Sequence, residues 1–407
     1  MSTSVASQIV IVGAGQAGGW AARTLRERGY AGRVVLVGSE MHPPYERPPL
    51  SKGVLLGEMP AESAYLFAPD ALQGLRLELE LGKQAVSIDR AEARVHLADG
   101  ASVAYDKLLL CTGGRPRALG IPGADLPGVF TLRTLSDALK LGGSLRHGAR
   151  VVVIGGGWIG LEVAAAARKK DASAIVIELG SRLCARTVPQ DVSEVLLQLH
   201  RRNGTEVLLS EAVTHITQGG AALRLALASG KMVDADVVVA GIGLIPNDEL
   251  ARSAGLHCEN GIVVDAACRT SDANIFAAGD VAIATNQWAG GMLRLESWQN
   301  AQNQAIAAAS AALGQAIVYD PLPWFWSDQY SSNIQIYGVP HPSHEVIRRG
   351  ADGAAGFMLC YLLDGHLRAV VGINAGRELA ISRRLIEKQT VVDPSLLADA
   401  TRPLPRP

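Results

Sequence analysis

The sequence predicts an α/β fold in which two similar βαβ units are followed by an α+β domain with an antiparallel sheet. Three observations support this prediction. A strand pattern runs into a glycine-rich turn at Gly13, and the same pattern recurs at Gly155. After about Pro321, apolar and polar residues alternate in short runs such as 333–337. Strands that alternate with helices are typical of a parallel sheet, and period-two alternation is typical of antiparallel strands.

The first βαβ unit begins with the apolar run Ile9–Val12, and a helical pattern follows over 19–28. A second strand, 33–37, ends near Glu40. A G-x-G-x-x-G fingerprint joins the first strand to the helix, with its glycines at Gly13, Gly15 and Gly18. The first glycine makes a tight turn, the second lets the backbone approach a pyrophosphate, and the third lets helix and strand pack closely. Glu40 is then placed to bind a ribose hydroxyl.

The second unit repeats this pattern with a strand at 150–154, an alanine-rich helix through Lys170 and a strand at 174–177. Its fingerprint glycines are Gly155, Gly157 and Gly160. Two complete fingerprints in one chain predict two Rossmann-like dinucleotide-binding domains.

Glu178 ends the second strand of this unit and indicates which nucleotide binds there. A carboxylate at this position repels the 2′-phosphate of NADP and hydrogen-bonds the free hydroxyl of NAD. Arg182 lies nearby in the sequence and is interpreted as a surface arginine. We therefore expect NADH rather than NADPH.

Further strands end in small residues, where the chain can pass between domains beside a cofactor. Two of these ends are Thr112-Gly113 and Gly243, and Asp280 closes a third after Ala278-Gly279. Asp280 suits hydrogen bonding to a ribityl or pyrophosphate group, although an ordinary turn aspartate is the alternative. The predicted domains are residues 1–112 with 244–320, residues 113–243, and residues 321–407.

A proline-rich loop, 45–52, follows the first unit and carries Arg47 and Lys52. Prolines restrict the backbone of such a loop. A cation held near a flavin stabilises the anionic reduced form of the ring. The loop therefore predicts flavin at the first turn, with a solvated loop as the alternative.

The composition gives no support to several classes of function. The chain has 407 residues and a net charge of −1, so no global charge favours nucleic acid or an anionic membrane. No apolar run approaches the roughly 18 residues of a membrane helix, and Met1–Gln8 lacks the pattern of a secretory signal. We expect a cytoplasmic protein. None of the five cysteines forms a C-x-x-C pair, so no disulfide framework or metal site is expected.

Taken together, these motifs resemble those of FAD-dependent ferredoxin–NAD(+) reductases, the reductase components of bacterial ring-hydroxylating dioxygenase and cytochrome P450 systems. Within this group the chain resembles the reductases of aromatic-ring dioxygenases, such as the phenylpropionate and biphenyl types. The motifs that carry the resemblance span nearly the whole chain: residues 44–52, 155–162, 275–280, 296–303 and 324–329. The resemblance implies a fold of the glutathione-reductase type, with FAD at the first turn and NAD at the second.

The resemblance also implies roles for individual residues. The predicted FAD ligands are Gly13, Gly15, Gly18, Glu40, Arg47, Lys52, Thr112, Gly113, Asp280 and Trp298. The predicted NAD ligands are Gly155, Gly157, Gly160, Glu178 and Gly243. Trp326 is expected close to the flavin ring, and Glu162 near the nicotinamide, where it can pair with Lys52. The family often has alanine where this chain has Cys111, and we infer no redox chemistry from that departure.

The implied reaction is hydride transfer from NADH to FAD, followed by single-electron transfer to a [2Fe–2S] ferredoxin, expected to be of Rieske type. The stretch Met41–Lys52 lacks the cysteines that disulfide reductases and peroxidases of this fold need, so the electron acceptor is external. Arg294, Arg377 and the pair Arg348-Arg349 are candidates for a basic docking patch. A monomer or a homodimer is expected. The alternatives are an NADH oxidase or rubredoxin reductase, and an NADH-sensing flavoprotein resembling apoptosis-inducing factor.

Overall fold

A computed structural model describes residues 6–220, 222–351 and 356–405. The chain folds into two compact units. The first comprises Met1–Arg47, Glu62–Arg115 and Ile245–Pro321, and the second comprises Pro48–Ala61, Pro116–Leu244 and Leu322–Pro407. The division into three domains stays a prediction. Residues 1–5, part of the segment in which no secretory signal is expected, lie outside the described residues.

A parallel five-stranded sheet forms the centre of the first unit. Its strand order is Ile275–Ala277, Lys107–Leu110, Gln8–Val12, Arg33–Gly38 and Glu78–Leu81. The apolar run Ile9–Val12 is buried throughout, as a central strand covered on both faces requires. The helix Gln16–Glu27 follows this strand and packs against the helix Trp298–Ala312.

Smaller elements complete the first unit. An antiparallel sheet contains Ala85–Asp89, Arg94–Leu97 and Ser102–Ala104, and a four-stranded sheet contains Cys258–Glu259, Gly261–Val263, Ala282–Asn286 and Gly291–Leu293. The short helices are Pro69–Gly74 and Glu249–Ser253. The 3₁₀ helix Ala61–Ala64 and the strands Gly114–Pro116 and Leu244–Pro246 occur where the chain passes from one unit to the other.

The second unit contains another parallel five-stranded sheet. Its strand order is Glu206–Leu209, Ser173–Glu178, Arg150–Ile154, Val237–Ala240 and Val129–Phe130. Its helices are Leu135–Ser144, Trp158–Lys169 and Gln190–Arg202, with the short 3₁₀ helix Pro48–Ser51 and the short α-helix Gly53–Leu56. An antiparallel sheet contains Val213–Gly219, Ala222–Leu227 and Met232–Ala235.

An antiparallel five-stranded sheet ends the second unit. Its order is Trp324–Gln329, Ser332–Gly338, His366–Ile373, Phe357–Leu363 and Glu345–Arg349, and the helices Gly376–Glu387 and Pro394–Ala398 follow. The strand Trp324–Gln329 packs against the helix Trp158–Lys169 of the same unit. Strand alternation places Phe325, Ser327 and Gln329 on one face of this strand.

The structure confirms the predicted fold class, with two parallel sheets of the βαβ type and an antiparallel C-terminal sheet. The two three-stranded antiparallel sheets were not predicted. Polar residues such as Ser87, Thr214 and Arg224 interrupt their strands, which therefore lack the continuous apolar runs that revealed the parallel sheets. Among the described residues, no helix has both the length and the apolar character needed to cross a membrane.

Candidate functional site

The first glycine turn is shaped by close backbone packing. Gly13 has φ +110°, and a Cβ there would overlap the carbonyl group of Cys111. A Cβ on Gly18 would overlap the carbonyl oxygen of Gly13. A Cβ on Gly15 would meet only Nη2 of Arg47, at 4.0 Å. The first and third glycines therefore close the turn, whereas the second leaves the backbone open to a pyrophosphate.

The second turn has the same construction. Gly155 has φ +106°, and a Cβ there would lie 2.5 Å from the carbonyl oxygen of Gly241. A Cβ on Gly160 would overlap the carbonyl oxygen of Gly155, but one on Gly157 would meet only Gly241, at 3.8 Å. The helix Trp158–Lys169 begins directly after this open glycine, so its free amide groups face an anion bound at the turn.

The two acidic residues at the strand ends have different surroundings. Glu40 accepts a 2.6 Å hydrogen bond from the hydroxyl of Tyr45 and lies 3.4 Å from Nη2 of Arg47. Glu178 accepts hydrogen bonds of 2.6 Å from the amides of Gly156 and Gly180. These bonds hold the Glu178 carboxylate beside the second glycine turn, where a ribose would lie.

Groups of the same unit bind the guanidinium of Arg182. Its guanidinium donates to the carbonyl oxygens of Val188 and Ala185 and to the hydroxyl of Ser193. The side chain is therefore held within the unit and is not a free surface arginine. Arg186, which the sequence reasoning did not identify, lies beside Gly243, because a Cβ on Gly243 would lie 2.6 Å from its Nη2. Gly243 has a φ of +111°, and a glycine at this position was the sequence signal of an unusual backbone conformation after the strand.

Thr112 and Gly113 are joined to a residue that the sequence reasoning missed. The hydroxyl of Thr112 donates to the carbonyl oxygen of Asn247 at 2.7 Å, and the Asn247 amide side chain donates back to Thr112 at 2.9 Å. The backbone amide of Asn247 donates to Gly113 at 2.9 Å. Asn247 is 135 residues away in the chain, so local patterns could not connect them. Burial raises the pKa of the neighbouring Cys111 thiol to about 12, which keeps this thiol protonated.

The first unit brings Asp280 and Trp298 to the first glycine turn. A Cβ on Gly279 would lie 3.0 Å from Cβ of Ala17, so the loop before Asp280 touches the helix that the turn begins. The side chain of Gln16 donates to the carbonyl oxygen of Trp298 at 2.8 Å. The Gln16 hydrogen bond joins the helix Gln16–Glu27 to Trp298, and the Gly279 contact joins the same helix to the neighbour of Asp280. Trp298 and Asp280 are both predicted to contact FAD.

In the second unit, Lys52 and Glu162 form an ion pair with Nζ 2.9 Å from Oε1. Glu162 is 5 % exposed. Its carboxylate also accepts hydrogen bonds from the hydroxyl of Ser51 and, at 2.6 Å, from that of Ser327. Such a buried carboxylate is stabilised only when cations and donors surround it. The motif resemblance anticipated the pair but not the two serines.

Trp326 lies in a stack of aromatic rings. Its ring centroid is 5.0 Å from that of Trp324 with an interplanar angle of 17°, and Trp324 in turn lies 6.0 Å from Tyr337. On the opposite face of the strand, Phe325 packs 4.8 Å from Trp158. One face of the strand therefore carries the stacked rings of Trp324 and Trp326, and the other face, with Phe325, contacts the helix Trp158–Lys169.

The prediction that Arg349 and Arg294 belong to a basic docking patch is wrong. Arg349 is 1 % exposed and pairs with Glu378 at 2.7 Å, while its remaining donors bind carbonyl oxygens near the C-terminus. The side chain of Arg294 is 10 % exposed and lies 2.5 Å from Glu296. Each guanidinium group is largely buried and paired with a partly exposed carboxylate, which sequence spacing does not reveal. Arg377 is exposed, and Arg348 is half-buried over the ring of Phe357.

The cysteines remain free thiols: Cys111, Cys184, Cys258, Cys268 and Cys360. Within residues 6–220, 222–351 and 356–405, no group of three or more His, Cys, Asp or Glu side chains is placed to hold a metal ion. Each unit instead contains one turn shaped for a dinucleotide pyrophosphate. The fold and the two turns thus define a protein of the class that binds two dinucleotides.

Family models match most of the chain. The model described as pyridine nucleotide-disulphide oxidoreductase matches residues 7–305, and the one described as reductase C-terminal matches residues 324–406. Rhodocoxin reductase of Rhodococcus erythropolis is 41% identical over 392 residues, covering 96% of this chain and 92% of the relative. The anthranilate 1,2-dioxygenase system ferredoxin–NAD(+) reductase component of Burkholderia cepacia is 41% identical over 401 residues, covering 97% and 98%.

A solved structure agrees over the same length. The covalent putidaredoxin reductase–putidaredoxin complex matches with a TM-score of 0.93 and 37% identity, covering 97% of this chain and 96% of that one. The chain belongs to the pyridine nucleotide-disulphide oxidoreductase family and, within it, to the ferredoxin–NAD(+) reductases. Membership confirms FAD and NAD(H) as the cofactors, and the open glycine of each turn fits them.

Proposed function

We propose that this protein takes a hydride from NADH onto FAD and passes electrons one at a time to a [2Fe–2S] ferredoxin that serves an aromatic-ring dioxygenase. The observation that carries the proposal is the pair of glycine turns, each closed at its first and third glycine and open at its second. Relatives that are ferredoxin–NAD(+) reductase components of dioxygenase systems match nearly the full chain and support the same reaction.

The residues of the chain would bind and align the cofactors, while the redox chemistry belongs to FAD and NADH. The first turn, with Glu40, Arg47, Thr112, Gly113, Asp280 and Trp298, would hold FAD. The second turn, with Glu178 and Gly243, would hold NADH. Lys52 and Glu162 would provide fixed charge beside the reacting rings, and Trp326 would pack at the edge from which electrons leave.

The acceptor is proposed to be external because Met41–Lys52 contains no cysteine that could receive electrons. Burial raises the pKa of the thiols of Cys111, Cys184, Cys268 and Cys360, which disfavours thiolate chemistry at these sites. We propose a ferredoxin of Rieske type, a cytoplasmic location shared with the NADH supply, and a monomer or homodimer as the working state.

Turnover with three acceptors tests this proposal. The FAD-loaded protein is mixed with NADH and, separately, with a Rieske-type [2Fe–2S] ferredoxin, a rubredoxin or oxygen alone. We expect reduction of the ferredoxin to be at least about tenfold faster than that of the other acceptors. Faster oxygen consumption would identify an NADH oxidase, and faster rubredoxin reduction a rubredoxin reductase. A long-lived complex of reduced flavin and NAD would favour the NADH-sensing alternative.

A further inference from the structure

A chain of hydrogen bonds leads from the buried Glu162 carboxylate into the C-terminal sheet. Ser327 Oγ lies 2.6 Å from Glu162 Oε1, and Gln329 Nε2 lies 3.0 Å from Ser327 Oγ. The other atom of the same amide, Gln329 Oε1, lies 2.8 Å from His200 Nε2. Ser327, Gln329 and His200 have no exposed surface.

The series of hydrogen bonds continues beyond His200. The hydroxyl of Tyr330 lies 3.1 Å from His200 Nδ1, and the hydroxyl of Thr205 lies 2.8 Å from that of Tyr330. The rings of His200 and Tyr330 also meet edge to face, with centroids 5.1 Å apart. Both nitrogens of the imidazole are therefore bonded.

The chemistry of these groups determines the direction of the bonds. A carboxylate paired with an ammonium only accepts, so Ser327 donates to Glu162 and must itself accept from the Gln329 amide. The Gln329 carbonyl can only accept, so His200 carries its hydrogen on Nε2. Burial lowers the pKa of His200 to about 4, so the ring is neutral and its Nδ1 accepts from Tyr330. Every hydrogen-bond donor in this series of side chains consequently points toward Glu162.

Such a chain is not the simplest way to fill a strand–helix contact. Replacing a buried polar network by apolar side chains of similar volume is often neutral or stabilising. Removing a single hydrogen-bonding partner from such a network destabilises the fold. In the same strand, Phe325 fills its contact with Trp158 by apolar packing alone. Ser327 and Gln329, which follow Phe325 on the same face of the strand, thus have an effect beyond packing.

The effect of Ser327 and Gln329 is to fix the orientation of the Glu162 carboxylate. Oε1 accepts from both Lys52 and Ser327, and Oε2 accepts from Ser51. Rotation of the carboxylate would break at least one of these bonds. Because the Ser327 hydroxyl is itself held by Gln329, it cannot turn away to another acceptor without losing that bond. The carboxylate oxygen that pairs with the Lys52 ammonium is then held in one place.

We propose that Ser327, Gln329 and His200 are positioning residues that fix the Glu162–Lys52 pair for flavin reduction by NADH. This inference rests on the proposed function, because it assigns the three residues to its first half-reaction. They act through Glu162 and touch neither cofactor. Removal of the Ser327 hydroxyl therefore slows flavin reduction and leaves electron delivery to the ferredoxin unchanged.

The test compares Ser327→Ala, Gln329→Met and the double variant, all as FAD-loaded protein, in single-turnover experiments. Ser327→Ala is expected to slow flavin reduction at saturating NADH about tenfold, with the apparent Kd for NADH from the same traces within about twofold of the wild-type value. Gln329→Met is expected to slow it several-fold. The double variant is expected to match Ser327→Ala, since Gln329 acts only through the serine hydroxyl.

Ser382→Ala is the matched control, because Ser382 is equally buried in the same unit and its hydroxyl bonds to a helix carbonyl. It should leave flavin reduction unchanged. Additive losses in the double variant, equal slowing of both half-reactions, or wild-type rates in Ser327→Ala would each overturn the inference. A wild-type protein whose flavin NADH does not reduce would instead contradict the proposed function.

Discussion

The ammonium nitrogen of Lys52 lies 2.9 Å from Oε1 of Glu162, whose carboxylate is almost fully buried. The lysine side chain is 23% exposed, so it spans from the buried carboxylate toward solvent. A buried carboxylate and its cation stabilise one another, and loss of either leaves an uncompensated charge or donor. Each member of the pair therefore depends on the other for the stability of the fold.

Lys52→Met is expected to slow flavin reduction by NADH about tenfold or more, because the fixed positive charge is lost. It should also lower the free energy of unfolding by about 3–5 kcal/mol, since Glu162 is left unpaired. The double variant Lys52→Met/Glu162→Gln should recover stability without recovering the rate. Stopped-flow reduction and urea unfolding measure the two effects. Lys140→Met, at an exposed position, is the control, and reduction traces of Lys52→Met identical to wild type would remove Lys52 from the mechanism.

Gly155→Ala is expected to weaken NADH binding without loss of FAD. The Cβ would lie 2.5 Å from the carbonyl oxygen of Gly241 at a φ of +106°, so the turn must shift. We expect KM for NADH to rise about tenfold or more, as measured by steady-state kinetics, with unchanged FAD content. Gly143→Ala, in the helix Leu135–Ser144 with no atom within 4 Å of its Cβ position, should leave KM unchanged. An unaltered KM in Gly155→Ala would show that NADH binds elsewhere.

Glu178→Ala is expected to reduce the preference for NADH over NADPH. The carboxylate is held by two amide hydrogen bonds, so it presents a fixed negative charge to a 2′-phosphate. The ratio of kcat/KM for the two nucleotides should fall about tenfold in the variant. Glu206→Ala, at the start of the neighbouring strand, serves as the control. Wild-type protein that oxidises NADPH as efficiently as NADH would contradict the prediction.

His200 makes stability depend on pH below neutrality. Its folded-state pKa of about 4 lies below its ordinary value of 6.5, so the unfolded chain binds more protons between these pH values. The free energy of unfolding should therefore fall as pH decreases from about 6.5 to 4, by up to about 3 kcal/mol from this residue. Urea unfolding at several pH values should show a flatter dependence in His200→Gln. His147→Gln, at an exposed position, should retain the wild-type slope, and equal slopes in wild type and His200→Gln would exclude this contribution.

Much of the fold could be predicted because its signals are local. The buried strand Ile9–Val12 and the turn at Gly13 are adjacent in sequence, and each follows from hydrophobic burial and backbone sterics alone. The same holds for the strand before Gly155. The position of Glu178 at the end of a parallel strand also followed from local pattern, because the strand Ser173–Glu178 is apolar from Ala174 up to this residue.

Other features depend on residues far apart in the chain. Thr112 meets Asn247, and Glu162 meets Ser327, across 135 and 165 positions respectively. The sequence predicts a surface cation at Arg349, yet this residue is buried against Glu378 and carbonyl oxygens near the C-terminus. Charge and hydrogen-bonding capacity are properties of a residue, whereas burial and partners are properties of its position. Local sequence thus specified the two nucleotide turns through steric constraints on glycine, and only the packing of distant strands and helices decided which polar side chains surround Glu162.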